Sequence, residues 1–287
     1  MKTFAIVGAT SDIGKVVAKR LEDMGHTVRK VSRTSGISID NEKALREAFS
    51  GADGAYLVIP FDMQAPDLHK REDEIGKKLI DAIQVAGLKR LVFVSALSVH
   101  LKKKTSSLGA GMMEEKLNKL GIEELMILRC AFFMENFLRG MNFLRQAQSG
   151  YFSSAFRGDI PMSMIACNDI GEKVVEMLTT ENFPKIHTRE LLGARNYTMI
   201  DATRIMASAI GHPEIIYRQV SIEDARKEMI AAGVSPSFAD AVSRTVESFN
   251  AGDIWATENR SPENTTQTTL EQWSQEVLRK AFQDATI

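Results

Sequence analysis

The amino-acid sequence predicts an α/β protein: a Rossmann-type, doubly wound parallel sheet with a smaller, mainly helical C-terminal subdomain. Three observations predict it. In the first half of the chain, short β-rich runs alternate with segments of helical period, the pattern of a parallel sheet with right-handed crossovers. Two of the runs, Leu91-Val92-Phe93-Val94 and Leu125-Met126-Ile127-Leu128, are continuously apolar, as strands covered on both faces are. After residue 138 the alternation gives way to longer helical patterns.

Thr3–Val7 reads as a strand running straight into Gly8. Ile13–Met24 reads as a helix, with Val16, Val17, Leu21 and Met24 on one face and Gly25 as its stop. Thr27–Ser32 is a second strand, and Ile39-Asp40 are expected to follow a brief third. A helix over Glu42–Ser50 leads to a strand over Gly54–Ile59 that Pro60 ends. Asp67–Ala86 is a long helix closed by Gly87, followed by a strand at Arg90–Ser95. Met112–Leu120 is a helix stopped by Gly121, and Glu124–Arg129 the next strand. Asn168–Leu178 still has the character of a Rossmann helix. Asp201–Ile210, Ile222–Ala232, Phe238–Asn250 and Thr269–Gln283 are the helices of the subdomain. The expected division is a dinucleotide-binding domain over 1–138, to which 166–180 return, and a substrate subdomain over 139–165 and 181–287. There is no internal repeat.

The 287 residues are 44% hydrophobic and 25% charged, enough for a sizeable core, and argue against disorder. A net charge of -1 gives no reason to expect a nucleic-acid partner. The run Lys102-Lys103-Lys104 reads as a solvated loop. The two cysteines, Cys130 and Cys167, sit in apolar surroundings without a CxxC pair, so neither a disulfide scaffold nor a metal site is expected, and a reducing compartment is the default. The apolar run before Gly8 is too short for a signal peptide, and no stretch reaches the roughly 18 apolar residues of a membrane span. The expectation is a cytoplasmic protein, monomer or homodimer, with no membrane partner.

The strongest motif is Gly8-Ala9-Thr10-Ser11-Asp12-Ile13-Gly14, after the first strand and at the mouth of a helix. Gly8 allows a tight turn, and Gly14 allows close helix–strand packing. The N–H groups between them face a pyrophosphate at the positive end of the helix dipole. Ser11 replaces the usual middle glycine and can cap the helix. The second motif is an absence. NAD-preferring folds place an acid after the second strand, whereas this chain reads Arg29-Lys30-Val31-Ser32-Arg33-Thr34. Ser32 and Arg33 can hold a 2′-phosphate, which favours NADP(H). Asp40 either accepts from the adenine amino group or caps the helix that starts at Asn41.

Gly-Ala-Thr-x-x-x-Gly, the basic end of the second strand, and Leu128-Arg129-Cys130-Ala131-Phe132-Phe133-Met134-Glu135-Asn136-Phe137 together resemble the NmrA-like family of atypical short-chain dehydrogenases. That family includes NADP-sensing co-regulators and reductases of quinones and dyes. The resemblance implies that Pro60, Phe61 and Ser95 line the ribose and nicotinamide. It also implies that Cys130, Ala131 and Phe132 cover the ring, while Phe133, Met134, Glu135, Asn136 and Phe137 lead into the substrate subdomain. Plain core packing is an equally good reading of Phe132-Phe133.

Short-chain dehydrogenases of the usual kind use a tyrosine and, four residues on, a lysine that lowers its pKa. Aligned on the helix with Glu114-Glu115-Lys116, those positions hold Ser107 and Gly111. The four tyrosines, Tyr56, Tyr151, Tyr197 and Tyr217, lie elsewhere, and Lys116 reads as a solvated residue. Hydride transfer to an already electrophilic acceptor needs little acid help. One reading is therefore an NADPH-dependent reductase of an apolar or aromatic acceptor. Its pocket would be built from Phe61, Ser98, Phe132, Phe133, Met134 and Phe137, with Trp255 and Phe238 as candidate lids. His100 is a weak candidate proton donor alongside Ser95. The other reading is a protein that holds NADP(H) without turnover and signals through its surface.

Overall fold

A computed structural model of the chain describes residues 1–286. The first half builds β1 (Thr3–Val7), α1 (Asp12–Asp23), β2 (Thr27–Val31), α2 (Glu42–Phe49), β3 (Gly54–Leu57), α3 (Leu68–Ala86), β4 (Arg90–Ala96), α4 (Leu108–Leu117) and β5 (Glu124–Cys130). The second half adds β6 (Phe132–Phe133), α5 (Phe143–Ala147), β7 (Tyr151–Ser154), β8 (Met162–Ile165), α6 (Cys167–Thr179), β9 (Thr188–Leu191), β10 (Asn196–Tyr197), α7 (Met199–Ala209), β11 (Ile216–Gln219), α8 (Ile222–Ala231), α9 (Pro236–Asn250), α10 (Leu270–Trp273) and α11 (Arg279–Thr286).

Six strands form the main sheet in the order β2-β1-β3-β4-β5-β9, every pair parallel. Successive side chains of β1 and β4 enter different cores. Phe4, Ile6, Val92 and Val94 pack with α1 and α6 on one face. Ala5, Val7, Leu91 and Phe93 pack with α2, α3 and α4 on the other. This double burial is why the strands read as unbroken apolar runs. A third core, holding Met134, Phe137, Phe143, Phe152, Tyr197 and Trp273, belongs to the subdomain, where β10-β8-β6 and β11-β7 make two small sheets.

The structure corrects several expectations. No third strand precedes Asp40: Ser32 and Ile37 make a single bridge, so the main sheet ends at β2. Met24 is 53% exposed, and α1 ends at Asp23. The helix expected from Met112 starts four residues earlier at Leu108; Gly109 and Gly111 weaken the local helix preference there, and burial of Gly109 offsets it. The last helix begins under a capping box from Thr269 and Gln272 and passes through a π turn at Ser274–Leu278. The substrate subdomain was expected to take all of 181–287, but β9 returns to the main sheet beside β5. The subdomain also starts before residue 138, because Phe132 and Phe133 already pair with Met164 and Ile165.

A candidate active site at the carboxyl ends of the strands

The glycine turn has the geometry its sequence implies. Gly8 has φ +73°, a conformation that disfavours side chains. A Cβ on Gly14 would lie 2.1 Å from the Gly8 carbonyl oxygen. Ser11 caps α1, its Oγ accepting from the Gly14 N–H at 3.0 Å. Thr10 and Ser11 are exposed and Ile13 is buried in the core, so Ile13 supports the turn from below. Asp12 pairs with Arg139. Arg33 is exposed and makes no ion pair among the described residues, while Ser32 is held in a hydroxyl cluster with Ser35. Asp40 does not cap α2; Asn41 does, through Ala44 N–H. The Asp40 carboxylate instead takes a two-pronged bond from Arg71 and another from Lys78. These cations hold its pKa well below the usual carboxylate range.

A cavity of about 500 Å³ opens at the carboxyl ends of β3, β4, β5 and β9, where open α/β sheets bind their ligands. It abuts the glycine turn through Val58, whose Cγ1 lies 2.8 Å from where a Gly8 Cβ would stand. Ser95, Cys130 and Ala131 line it from the strand ends, Phe132 and Phe133 from β6, Ser98 from the 3-10 turn after β4, and Phe61 from the loop after β3. Pro60, Met134, Phe137 and Phe238 are not in the wall. Met134 and Phe137 are fully buried in the subdomain core and so are not substrate contacts. Phe238 packs edge-on against Phe61 at 5.6 Å. Trp255 does line the cavity and is 55% exposed. His100 does not line it: its Nδ1 faces Leu97 O at 2.6 Å and its Nε2 faces Asp253 O at 3.1 Å, with its ring against Trp255. This weak candidate for a proton donor is instead a tie for the loop that carries Trp255.

Ser95 is fixed from behind. Its Oγ donates to Glu114 Oε1 at 2.5 Å, and Glu114 is clasped by Arg129 from the neighbouring strand. Ser107 is the N-cap residue just ahead of α4, and its Oγ receives a 2.7 Å bond from Ser98 and lies 3.0 Å from Thr105 Oγ1. Lys116 is not a free solvated residue: it pairs with Asp73 of α3 at 2.6 Å.

Two contributors had no signal in the sequence. Glu72 of α3 is 2% exposed and lines the cavity. One carboxylate oxygen lies 2.9 Å from His69 Nδ1 and the other has no partner. Burial pushes its pKa up, and His69 pulls it the other way. Only a glycine fits at position 109, where a Cβ would meet Glu72 Cδ at 2.4 Å. The other contributor is the 254–260 strap, which supplies Ile254, Trp255, Ala256, Glu258, Asn259 and Arg260 to the wall. Buried Glu190 of β9 holds it, accepting from the Thr257 N–H and hydroxyl and from the Glu258 N–H. Charge-assisted bonds of this kind are about twice as strong as neutral ones. Glu190 lies 53 positions beyond the Leu128–Phe137 motif, so nothing local marks it.

Residues 34–273 match the family model described as the NmrA-like family. The chain belongs to the NmrA-like family. An uncharacterized oxidoreductase of Bacillus subtilis is 24% identical to this NmrA-like protein over 86% of the chain and 84% of its own length. An NAD(P)H azoreductase of Xenophilus azovorans is 22% identical over 83% of the chain and 84% of its own length. Among solved structures, an NADPH-dependent quinone oxidoreductase of Escherichia coli in complex with NADPH superposes with a TM-score of 0.74 at 18% identity, covering 96% of this chain and 99% of that one. That likeness is one of fold. The family match begins past the glycine turn, so the turn stands on its own geometry.

Proposed function

We propose that this NmrA-like protein is an NADPH-dependent reductase that transfers hydride to an electrophilic apolar or aromatic acceptor without a tyrosine–lysine relay. The observation that carries the reading is the composition of the cavity wall. It runs from Ser95 and Ala131 at the strand ends to the rings of Phe61, Phe132, Phe133, Phe249 and Trp255, and it holds no tyrosine, lysine or histidine among the described residues. The relatives named oxidoreductase and azoreductase, and the quinone reductase of like fold, support the same reading.

The residues present fit NADP(H). The Gly8–Gly14 turn would hold the pyrophosphate, and Ser32 and Arg33 the 2′-phosphate. Ser95, Cys130, Ala131 and Phe132 would hold the nicotinamide end. Asp40, with its charge already met by two cations, is left out of that set. When bound, the dihydronicotinamide supplies the hydride. The protein then contributes orientation: aromatic walls stack the acceptor, and the strap keeps water from the reacting face. A quinone takes the hydride and one proton from solvent to become a hydroquinone. The Cys130 thiol takes no part, because burial keeps it protonated.

Two measurements test this. Arg33→Ala is expected to weaken NADP(H) binding by about tenfold or more and to leave NAD(H) within about twofold, read by calorimetry. Equal losses for both cofactors would remove Arg33 from the 2′-phosphate site. Ser107→Ala is expected to keep most single-turnover hydride transfer to 1,2-naphthoquinone. A loss of about a hundredfold, the lower end for removing a general acid, would show that this hydroxyl does acid chemistry.

A further inference from the structure

Several arginines elsewhere in the molecule are matched by carboxylates: Arg90 by Glu124, Arg129 by Glu114, Arg139 by Asp12, Arg195 by Glu271 and Arg226 by Asp240. Arg260 is different. It is the only lysine or arginine in the cavity wall, and it makes no ion pair among the described residues. Its Nη1 donates to the Gly193 carbonyl, and its Nη2 to Asn196 Oδ1 at 2.6 Å and Ser163 Oγ at 3.2 Å. All three acceptors are neutral. They hold the guanidinium in one place without cancelling its charge, and Nε is left without a protein acceptor among the described residues.

The mounting is rigid for a reason visible in the backbone. A Cβ on Gly193 would lie 1.6 Å from the Met164 carbonyl oxygen, so the chain entering β10 crosses β8 main chain to main chain. That crossing sets the position of the Gly193 carbonyl, and with it Arg260. Arg260 is exposed, and the share of its hydration that it loses pulls its pKa down, with no anion in ion-pair contact to supply a counter-charge. The carboxyls in the same wall do not supply it. Glu72 is turned to His69, 2.9 Å from its Nδ1, Glu258 Oε1 accepts from the Glu190 N–H, and neither makes an ion pair with Arg260 among the described residues. The same cavity wall carries the apolar and aromatic groups Phe132, Phe133, Met162 and Phe249.

We propose that Arg260 is the anion receptor of this cavity and selects acceptors whose aromatic ring system carries a carboxylate or sulfonate. The proposal rests on the reductase reading and names the chemical class of its substrate. The ring lies among the phenylalanines, and the acidic group reaches a guanidinium already oriented by Gly193, Asn196 and Ser163, so little ordering is required on binding.

The test uses the full chain saturated with NADP⁺ and two probes that accept no hydride, 2-naphthalenesulfonate and its neutral isostere 2-naphthalenesulfonamide. Calorimetry should show the sulfonate bound about tenfold more tightly, with a preference that shrinks as salt is added. Arg260→Gln should erase the preference while leaving the sulfonamide within about twofold, and Arg260→Lys, which keeps the charge but not the fork, should retain part of it. In turnover, Arg260→Gln should raise KM for 1,2-naphthoquinone-4-sulfonate and leave KM for 1,2-naphthoquinone unchanged. Equal weakening of both probes would reduce Arg260 to a packing clamp for the strap. A wild-type protein without preference, or an Arg260→Gln protein that loses NADP⁺ itself, would also overturn the proposal. Because the probes report binding alone, a protein that discriminates between them yet reduces neither quinone would disprove the reductase reading and leave the anion site standing.

Discussion

Gly14→Val is expected to lower NADPH affinity by at least about a hundredfold while leaving the protein folded. The first atom of any side chain at this position would lie 2.1 Å from the Gly8 carbonyl oxygen, 2.8 Å from the Gly8 carbonyl carbon and 3.0 Å from Ala9 Cα. All three are main-chain atoms, which cannot swing aside as a side chain can. The start of α1 must therefore move away from the turn, carrying with it the Gly14 N–H that Ser11 caps. The N–H groups aimed at the pyrophosphate lose their common focus, and the helix dipole retreats from the negative charge. The rest of the fold has its own support, because α1 also packs through Val17, Ala18 and Leu21. Circular dichroism and a thermal melt would establish folding, and titration of NADPH fluorescence would read affinity. A folded Gly14→Val protein with unchanged affinity would mean that the cofactor does not use this turn.

Arg129→Met is expected to destabilise the protein by about 2–3 kcal/mol, somewhat less than the roughly 3–5 kcal/mol of a fully buried pair because a third of the arginine side chain stays in water. Arg129 grips both oxygens of Glu114, which is only 6% exposed and also accepts from Ser95. Removing the cation leaves a buried carboxylate with a single hydroxyl donor. The double variant Arg129→Met/Glu114→Gln should recover a good part of the loss, since a neutral amide costs less to bury. Urea unfolding of the four proteins completes the cycle. Additive effects of the two substitutions would show that the pair is not coupled. Hydride transfer should fall further than stability alone predicts, because Glu114, which holds Ser95 at the cavity edge, loses the clasp that fixes its position.

The parallel sheet and its order along the chain were legible because their causes are local. Double burial makes β4 and β5 unbroken apolar runs, and Gly25 and Gly87 stop helices where left-handed backbone is needed. The glycine turn was legible for the same reason: Gly8, Ser11 and Gly14 act on one another within seven residues. What misled was residue type without partners. Met134 and Phe137 follow Phe132 and Phe133 in an aromatic run, yet a short 3-10 turn at Met134–Phe137 sends them into the core while the first two face the cavity. His100 looked available for proton transfer until two carbonyls claimed its ring.

By itself, then, the sequence determined most of the elements, the glycine turn and the basic end of β2, all set by short-range sterics, hydrogen bonding and period. Only the tertiary structure decided which groups face the cavity. Glu72 reaches its wall because α3 and α4 pack at a glycine, and Glu190 holds a strap 67 positions away through Thr257. Arg260 meets Ser163, Gly193 and Asn196 only after two backbone segments cross. The physical reason is that charge and burial are properties of a place in space. A lone arginine in a sequence is indistinguishable from any other until the fold shows that no carboxylate has come to meet it.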